Sequence, residues 1–117
     1  MRFVVLQHFL VGECHFDWLF ESPSTDLLTT WQTEIWPLGL GETPCRRLPD
    51  HRRIYLTYEG PVLLNRGRVQ RIEAGTYTAV SATEARFVAA LHGQIHQVVV
   101  FERTTIETWT LRRTSPG

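Results

Sequence analysis

The chain has 117 residues, a size that suits one domain with a hydrophobic core of its own rather than one held together by metals or disulfides. Its 12 basic and 12 acidic residues cancel, and a neutral chain argues against tight, non-specific binding to a phosphate backbone, while leaving room for a local patch. All the basic residues are arginine; the absence of lysine excludes a lysine nucleophile, a Schiff base and a P-loop lysine.

The first ten residues, MRFVVLQHFL, are apolar but run into GECHFD without a small-residue cleavage site, so a signal peptide is not expected. Arg2 to His8 reads as a strand rich in Phe and Val. Cys14 to Glu21 alternates, with Phe16, Trp18 and Phe20 on one face and His15, Asp17, Leu19 and Glu21 on a polar outer face. Leu28 to Ile35, rich in Thr and Trp, is a third strand. Trp36 to Pro49 holds Pro37, Pro44, Pro49, Gly39 and Gly41 and reads as a long loop.

Arg53 to Tyr58 alternates again, through Ile54, Leu56 and Tyr58. Asn65-Arg66-Gly67 suits a hairpin turn between Val62–Leu64 and Arg68–Ile72. Tyr77 to Val80 is a short strand. Ser81-Ala82-Thr83-Glu84 matches a capping box, yet the residues after it also alternate through Phe87, Ala89 and Leu91, so helix and strand both stay open there. Ile95 to Glu102 and Thr105 to Arg112 pair around Arg103-Thr104, and the tail from Thr114 to Gly117 is expected to fray. Many short strands predict a mainly β, single-domain small β-barrel over residues 1–113. No run approaches a membrane span, and two cysteines, Cys14 and Cys45, are too few for a disulfide framework, so a reducing cytoplasm is expected.

His15 and Asp17 are two apart on a strand and share a face, with Cα atoms about 6.5–7 Å apart. If the first two strands form a hairpin, His8 approaches both, and two imidazoles with one carboxylate suit Mn²⁺, Fe²⁺ or Zn²⁺. The same residues also suit a plain polar outer face. His51 and Tyr55, four apart, are able to touch a phosphate or a leaving group, though on their own they read more simply as a loop His and an amphipathic barrel Tyr. His92 and His96 flank a turn and read as surface residues that share no strand face. Cys14 points to the apolar side, and the four tryptophans read as core packing. Seven of the 12 arginines lie between Arg46 and Arg71, and arginine forks fit phosphate geometry.

At these residues the chain resembles the 3′-phosphoesterase module at the N-terminus of bacterial DNA-repair ligase D. Phe3-Val4-Val5-Leu6-Gln7-His8 is similar to that family's F-V-V-Q-x-H strand, and His15-Phe16-Asp17 to its L-H-Y-D. Trp31 resembles the Trp of S-W-x-x-P, and Asp50-His51-Arg52-Arg53-Ile54-Tyr55 the D-H-P-L-x-Y block. Tyr58-Glu59-Gly60, Gly75-Thr76-Tyr77, Leu91-His92-Gly93 and Trp109-Thr110-Leu111-Arg112 resemble F-E-G, G-T-Y, L-H-G and W-x-L-x-R. The resemblance covers nearly the whole chain and aligns Arg86 to Leu91 with a strand.

The resemblance implies a compact β-barrel that removes 3′-terminal ribonucleotides and 3′-phosphates at DNA ends with Mn²⁺, for which Zn²⁺ or another divalent ion is an alternative. It implies that His8, His15 and Asp17 hold the metal, that His51 and Tyr55 contact the phosphate and assist its transfer, and that Arg52, Arg53, Arg66 and Arg68 bind phosphate. It implies DNA or RNA–DNA 3′ ends as partners, separate ligase or polymerase repair proteins beside them, and a monomer with no membrane contact. The chain departs from the family at Leu19, where the family has Arg in D-x-R-x-E, and it shows neither the upstream K-R-D-F nor the P-K-G after the Trp strand. The spacing from His8 to His15 is one residue longer. These departures leave a second expectation, a member that binds metal, nucleic-acid ends or a repair partner without turnover.

Overall fold

The structure, a computed structural model, describes residues 1–36, 41–94 and 96–114. Its strands are β1 (Arg2–Leu10), β2 (Glu13–Ser22), β3 (Thr25–Thr33), β4 (Glu42–His51), β5 (Gly60–Pro61), β6 (Arg68–Ala82), β7 (Arg86–His92), β8 (His96–Arg103) and β9 (Trp109–Thr114), with one turn of 3-10 helix at Arg53–Leu56. The order in the sheet is β1-β2-β3-β4-β9-β8-β7-β6-β5, and β1 also pairs with β6. The mainly β expectation holds, and the sheet returns on itself as a ring with β5 laid outside against β6. Among the described residues no helix is long and apolar enough to cross a membrane.

Period-two alternation fills the ring. Phe3 and Val5 of β1, Phe16, Trp18 and Phe20 of β2, Trp31 of β3, and Phe101 and Leu111 from the far side point inward into one cluster. Full burial of such side chains contributes about 1.5–3 kcal/mol each. Trp31 stacks on Phe101 with centroids 4.3 Å apart, and Phe20 meets Tyr77 edge-on at 5.2 Å. The tryptophans are packing residues, as their setting among other rings requires.

The outer face of β1 and β2 is not the solvated surface that the alternation suggested. Val4, Leu6, Leu19, Leu28 and Val69 form a second apolar cluster, capped by Leu56 of the 3-10 turn and flanked by Tyr55, Tyr58 and Val62. Strand β2 is therefore covered on both sides: Leu19 is fully buried, and Asp17 and Glu21 are buried polar groups. Glu21 finds its partners in Arg53 and in the backbone N–H and guanidinium of Arg2. Those contacts outweigh the effect of burial and hold its carboxyl below the usual range.

Several boundaries differ from the sequence expectations. The loop expected over Trp36–Pro49 is largely strand β4, which pairs with β3 on one side and β9 on the other. Its prolines sit where a missing N–H is tolerated: Pro44 is exposed, and Pro49 lies at the register shift between Leu28↔His51 and Thr30↔Leu48. Residues 37–40 of that segment lie outside the described residues. The strand expected over Arg53–Tyr58 is the 3-10 turn, which leaves Ile54 60% exposed and buries Leu56 to 3%. Val62–Leu64 is no strand; Leu64 and Asn65 have positive φ in the turn that closes Val62 N–H on the Gly67 carbonyl.

Arg68–Ile72 and Tyr77–Val80 are parts of one strand, β6, which shifts register opposite Val5/Leu6. Residues 86–92 are strand, and Thr83 and Ala85 belong to the turn before it rather than to a helix. The last strand starts at Trp109 rather than Thr105, because Thr104, Thr105 and Thr108 hydrogen-bond one another in a wider turn. Thr114 pairs with Val98 at the end of β9, and the rest of the expected tail, 115–117, lies outside the described residues, as does Ile95. His92 and His96 are direct cross-strand partners and so do share a face, with ring centroids 5.4 Å apart.

Gly67 is required at the turn before β6. Its φ is +79°, and a Cβ built there lies 1.8 Å from the Phe9 carbonyl oxygen. Gly67→Ala is expected to cost more than about 2 kcal/mol, since left-handed φ and a backbone clash coincide. Urea unfolding checks it, and a midpoint equal to that of the native chain refutes it.

Candidate metal centre

The β1–β2 hairpin sets His8 directly opposite His15, and Leu6 opposite Asp17. Opposed residues of an antiparallel pair share a face, and His15 and Asp17 share theirs by the period of two. The three expected ligands therefore converge on the outer face, one ligand atom from each within 4.8 Å of the others. His15 Nε2 lies 3.0 Å from His8 Nδ1, Asp17 Oδ2 lies 3.6 Å from His8 Nδ1, and Asp17 Oδ1 lies 3.7 Å from His15 Nε2. The two rings meet edge-on at 81°.

The remaining ring nitrogen of His8, Nε2, lies 2.6 Å from the Arg66 carbonyl oxygen. A carbonyl only accepts, so Nε2 carries the hydrogen, and in the neutral ring the lone pair is on Nδ1, facing His15 and Asp17. Metal-ligating histidines are oriented by just such a bond from the other ring nitrogen. With two imidazole nitrogens and a carboxylate directed at one point, that space takes either a proton or a cation. The donor set fits a divalent ion with open positions, Mn²⁺, Fe²⁺ or Zn²⁺.

The two histidines are tuned apart. The Asp17 carboxylate, 3.6 Å from Nδ1, raises the proton affinity of His8 against the opposing effect of burial, with help from the Arg66 carbonyl. His15 is pushed the other way by burial, reinforced by His8 and the Arg46 charge, with Asp17 and Glu13 in opposition. In metal-free protein His8 is therefore expected to titrate above its ordinary value of 6.5 and His15 below it. A cation held there would have to displace the His8 proton, so its affinity is expected to rise with pH until His8 has lost that proton. Proton NMR of the imidazole C–H resonances against pH, with and without Zn²⁺, checks both statements; equal midpoints for the two rings contradict them.

The other expected site residues form separate groups. His51 and Tyr55 do meet, with ring centroids 6.1 Å apart, and His51 Nδ1–H donates to the Pro49 carbonyl at 3.0 Å, which leaves Nε2 as the acceptor. Register places His51 opposite Leu28, four residues along β3 from the Gln32 that faces Asp17. Four strand residues span about 13 Å, and Leu19 lies in a row between. Among the described residues, no hydrogen bond or ion pair joins His51 or Tyr55 to His8, His15 or Asp17.

Of the four expected phosphate-binding arginines, Arg53 is engaged by Glu21, and Arg52 is exposed beside the 3-10 turn. Arg66 offers its carbonyl to His8, and Arg68, exposed, is opposite Phe9. Cys14 packs against the inner cluster and accepts a hydrogen bond from the Gln7 amide, as its strand position implied.

Two more residues stand beside the cluster: Gln32, which the sequence did not single out, and Arg46, which it gave only as one of seven clustered arginines. Gln32 is opposite Asp17, its amide 3.5 Å from Oδ1, and Arg46 is opposite Gln32. Asp17, Gln32 and Arg46 thus form one row across β2, β3 and β4. A cleft of about 600 Å³ opens here, lined by Glu13, Cys14, His15, Gln32, Glu34 and Arg46. A larger one of about 740 Å³, over Trp31, Tyr77, Phe87 and Trp109, is lined by none of the expected site residues. The alternation of Trp31 and Thr33 inward already put Gln32 outward, but Arg46 was hidden by taking its segment as loop. No protein-family model matches the chain, and no curated protein matches it.

Proposed function

We propose that the protein is a metal-dependent phosphoesterase that acts on the 3′ ends of DNA, removing a terminal ribonucleotide or a 3′-phosphate in DNA repair. The observation that carries this reading is the convergence of His8 Nδ1, His15 Nε2 and an Asp17 oxygen within 4.8 Å, with His8 oriented by the Arg66 carbonyl. The order of motifs resembling the 3′-phosphoesterase module of ligase D supplies the reaction class. Bound there, Mn²⁺ or a related divalent ion would polarise a phosphoryl oxygen as a Lewis acid.

The residues of the chain do the remaining work. His8, His15 and Asp17 would hold the cation, with His15 at the edge of the cleft. Gln32 steadies the Asp17 carboxylate. His51, whose Nε2 is an acceptor, and Tyr55 lie further along the same outer face and would contact the nucleic-acid strand away from the metal. Both cysteines are free thiols, which suits a reducing cytoplasm.

The test is incubation with Mn²⁺ and a primer–template that ends in a ribonucleotide or in a 3′-phosphate. Release of the terminal group is expected, and turnover no greater than that of His15→Ala overturns the reading. A second reading, binding of metal and ends without turnover, is favoured by one observation: Leu19, at the place of the family's Arg, is fully buried among apolar side chains. Metal uptake and end binding without product would establish it.

A further inference from the structure

The β7–β8 hairpin carries a second pair of imidazoles. His92 and His96 are direct cross-strand partners, both exposed, with ring centroids 5.4 Å apart and planes inclined at 73°. With metal–nitrogen bonds of about 2.0–2.1 Å, a ring centroid stands about 3.2 Å from the metal that the ring ligates. Two rings on one tetrahedral ion then have centroids about 5.2 Å apart, and two at a right angle, as in square-planar or octahedral sites, about 4.5 Å. The His92–His96 spacing matches the tetrahedral value, whereas His8 and His15, at 4.7 Å, lie nearer the right angle. The same turn rests on a buried carboxylate. Glu73 is 4% exposed, accepts the N–H of Ala74 at 3.0 Å and that of Gln94 at 2.9 Å, and joins none of the ion pairs found among the described residues. Gln94 is two residues from each histidine, so its Cα lies no more than about 7.6 Å from theirs. The Glu73 charge thus stands on the order of 10 Å from a cation held by the two rings, close enough to favour it.

We propose that His92 and His96 form a second metal site, a two-imidazole chelate for Zn²⁺ whose remaining tetrahedral positions are open to water or to an outside ligand. It stands apart from the phosphoesterase reading and does not depend on it. The two places are far from one another: His8 is opposite Val69 and His92 opposite Thr76, seven residues along β6, or about 20 Å of strand. They also differ in donors. The first includes a carboxylate oxygen, which manganese favours; the second offers nitrogen alone, which suits zinc and serves manganese poorly. Gly93 lets the turn close over Glu73, since a Cβ there would lie 2.4 Å from Glu73 Oε1. The chain therefore presents two centres with different donor sets, one on the β1–β2 hairpin and one on the β7–β8 hairpin.

The experiment titrates the full, metal-free chain with Zn²⁺ and follows the imidazole C–H proton resonances. Those of His92 and His96 are assigned by their loss in His92→Gln and His96→Gln. In the native protein the two are expected to shift together and to saturate together. They are expected to do the same in Asp17→Ala, in which the other cluster lacks its carboxylate. His92→Gln weakens zinc binding at His96 more than about tenfold, since removal of a direct ligand costs at least what loss of an orienting partner costs, and His96→Gln does the same at His92. Both side chains are exposed, so the urea midpoints of the two variants stay at the native value. Three results overturn the proposal: His92 and His96 resonances that stay still in excess Zn²⁺, resonances that titrate with different midpoints, or a His96 resonance that responds to Zn²⁺ in His92→Gln as it does in the native chain.

Discussion

Asp17→Ala is expected to lower Mn²⁺ affinity by more than about 100-fold, because loss of a residue that merely orients a ligand already costs 10–100-fold. Asp17 is 3% exposed and is the only carboxylate of the three-residue cluster. Manganese favours oxygen donors, so the two remaining imidazoles hold it poorly, while zinc, which takes nitrogen readily, loses less. Asp17→Asn keeps the shape and the contact with Gln32 but removes the charge. In that variant the main support for the His8 proton is gone, and the His8 titration moves down toward that of His15. Calorimetric titration with Mn²⁺ and with Zn²⁺ reads the first effect, and imidazole NMR the second. Mn²⁺ binding by Asp17→Ala within tenfold of native would exclude the cluster as the metal centre.

Leu19→Arg is expected to destabilise the fold by about 3–5 kcal/mol, the usual cost of leaving a charge buried without a partner. Family resemblance alone suggests the opposite, since it puts an arginine at this place and invites an attempt to raise activity. The surroundings decide. Leu19 is fully buried against Val4, Leu6, Leu28 and Leu56, beneath the 3-10 turn. An arginine there must either drag its guanidinium out past Leu56, lifting the turn that carries Tyr55, or remain unpaired in an apolar site. Leu19→Ala, a cavity without a charge, provides the scale at about 2–5 kcal/mol. Urea unfolding of the three proteins reads the order, and a Leu19→Arg chain as stable as the native one would show that this side of β2 opens more readily than its packing indicates.

How much of this was legible in the sequence depends on what each residue reports. The β2 alternation put Phe16, Trp18 and Phe20 inward because a half-buried strand has a period of two, and the same period put His15 and Asp17 together. The His8–His15 pairing followed once a hairpin was assumed. The second cluster was not legible, because burial of Leu19 and Glu21 depends on a turn more than 30 residues away in sequence folding over them. Ile54, Leu56 and Tyr58 alternate by coincidence: in the 3-10 turn only Leu56 is directed at the core. Arg46 was lost for a related reason. Pro44 and Pro49 signal loop to a local reading, whereas the pairing that tolerates them, an exposed position and a bulge, exists only in the assembled sheet.

The closure of the sheet has a consequence for how the protein meets other chains. Every strand of the ring has a neighbour on each side, and the strand that stands outside it, β5, is two residues long with Pro61 as one of them. Unpaired N–H and C=O rows, the usual template for strand addition, are thereby limited to stretches that pair on one side only, among them residues 46–51 of β4 and 70–75 of β6, where the Arg71 N–H is taken by the Glu59 carboxylate instead. Strand addition is therefore confined to the one-sided stretches, and a chain that docked there would have to follow the twist of β4 or β6.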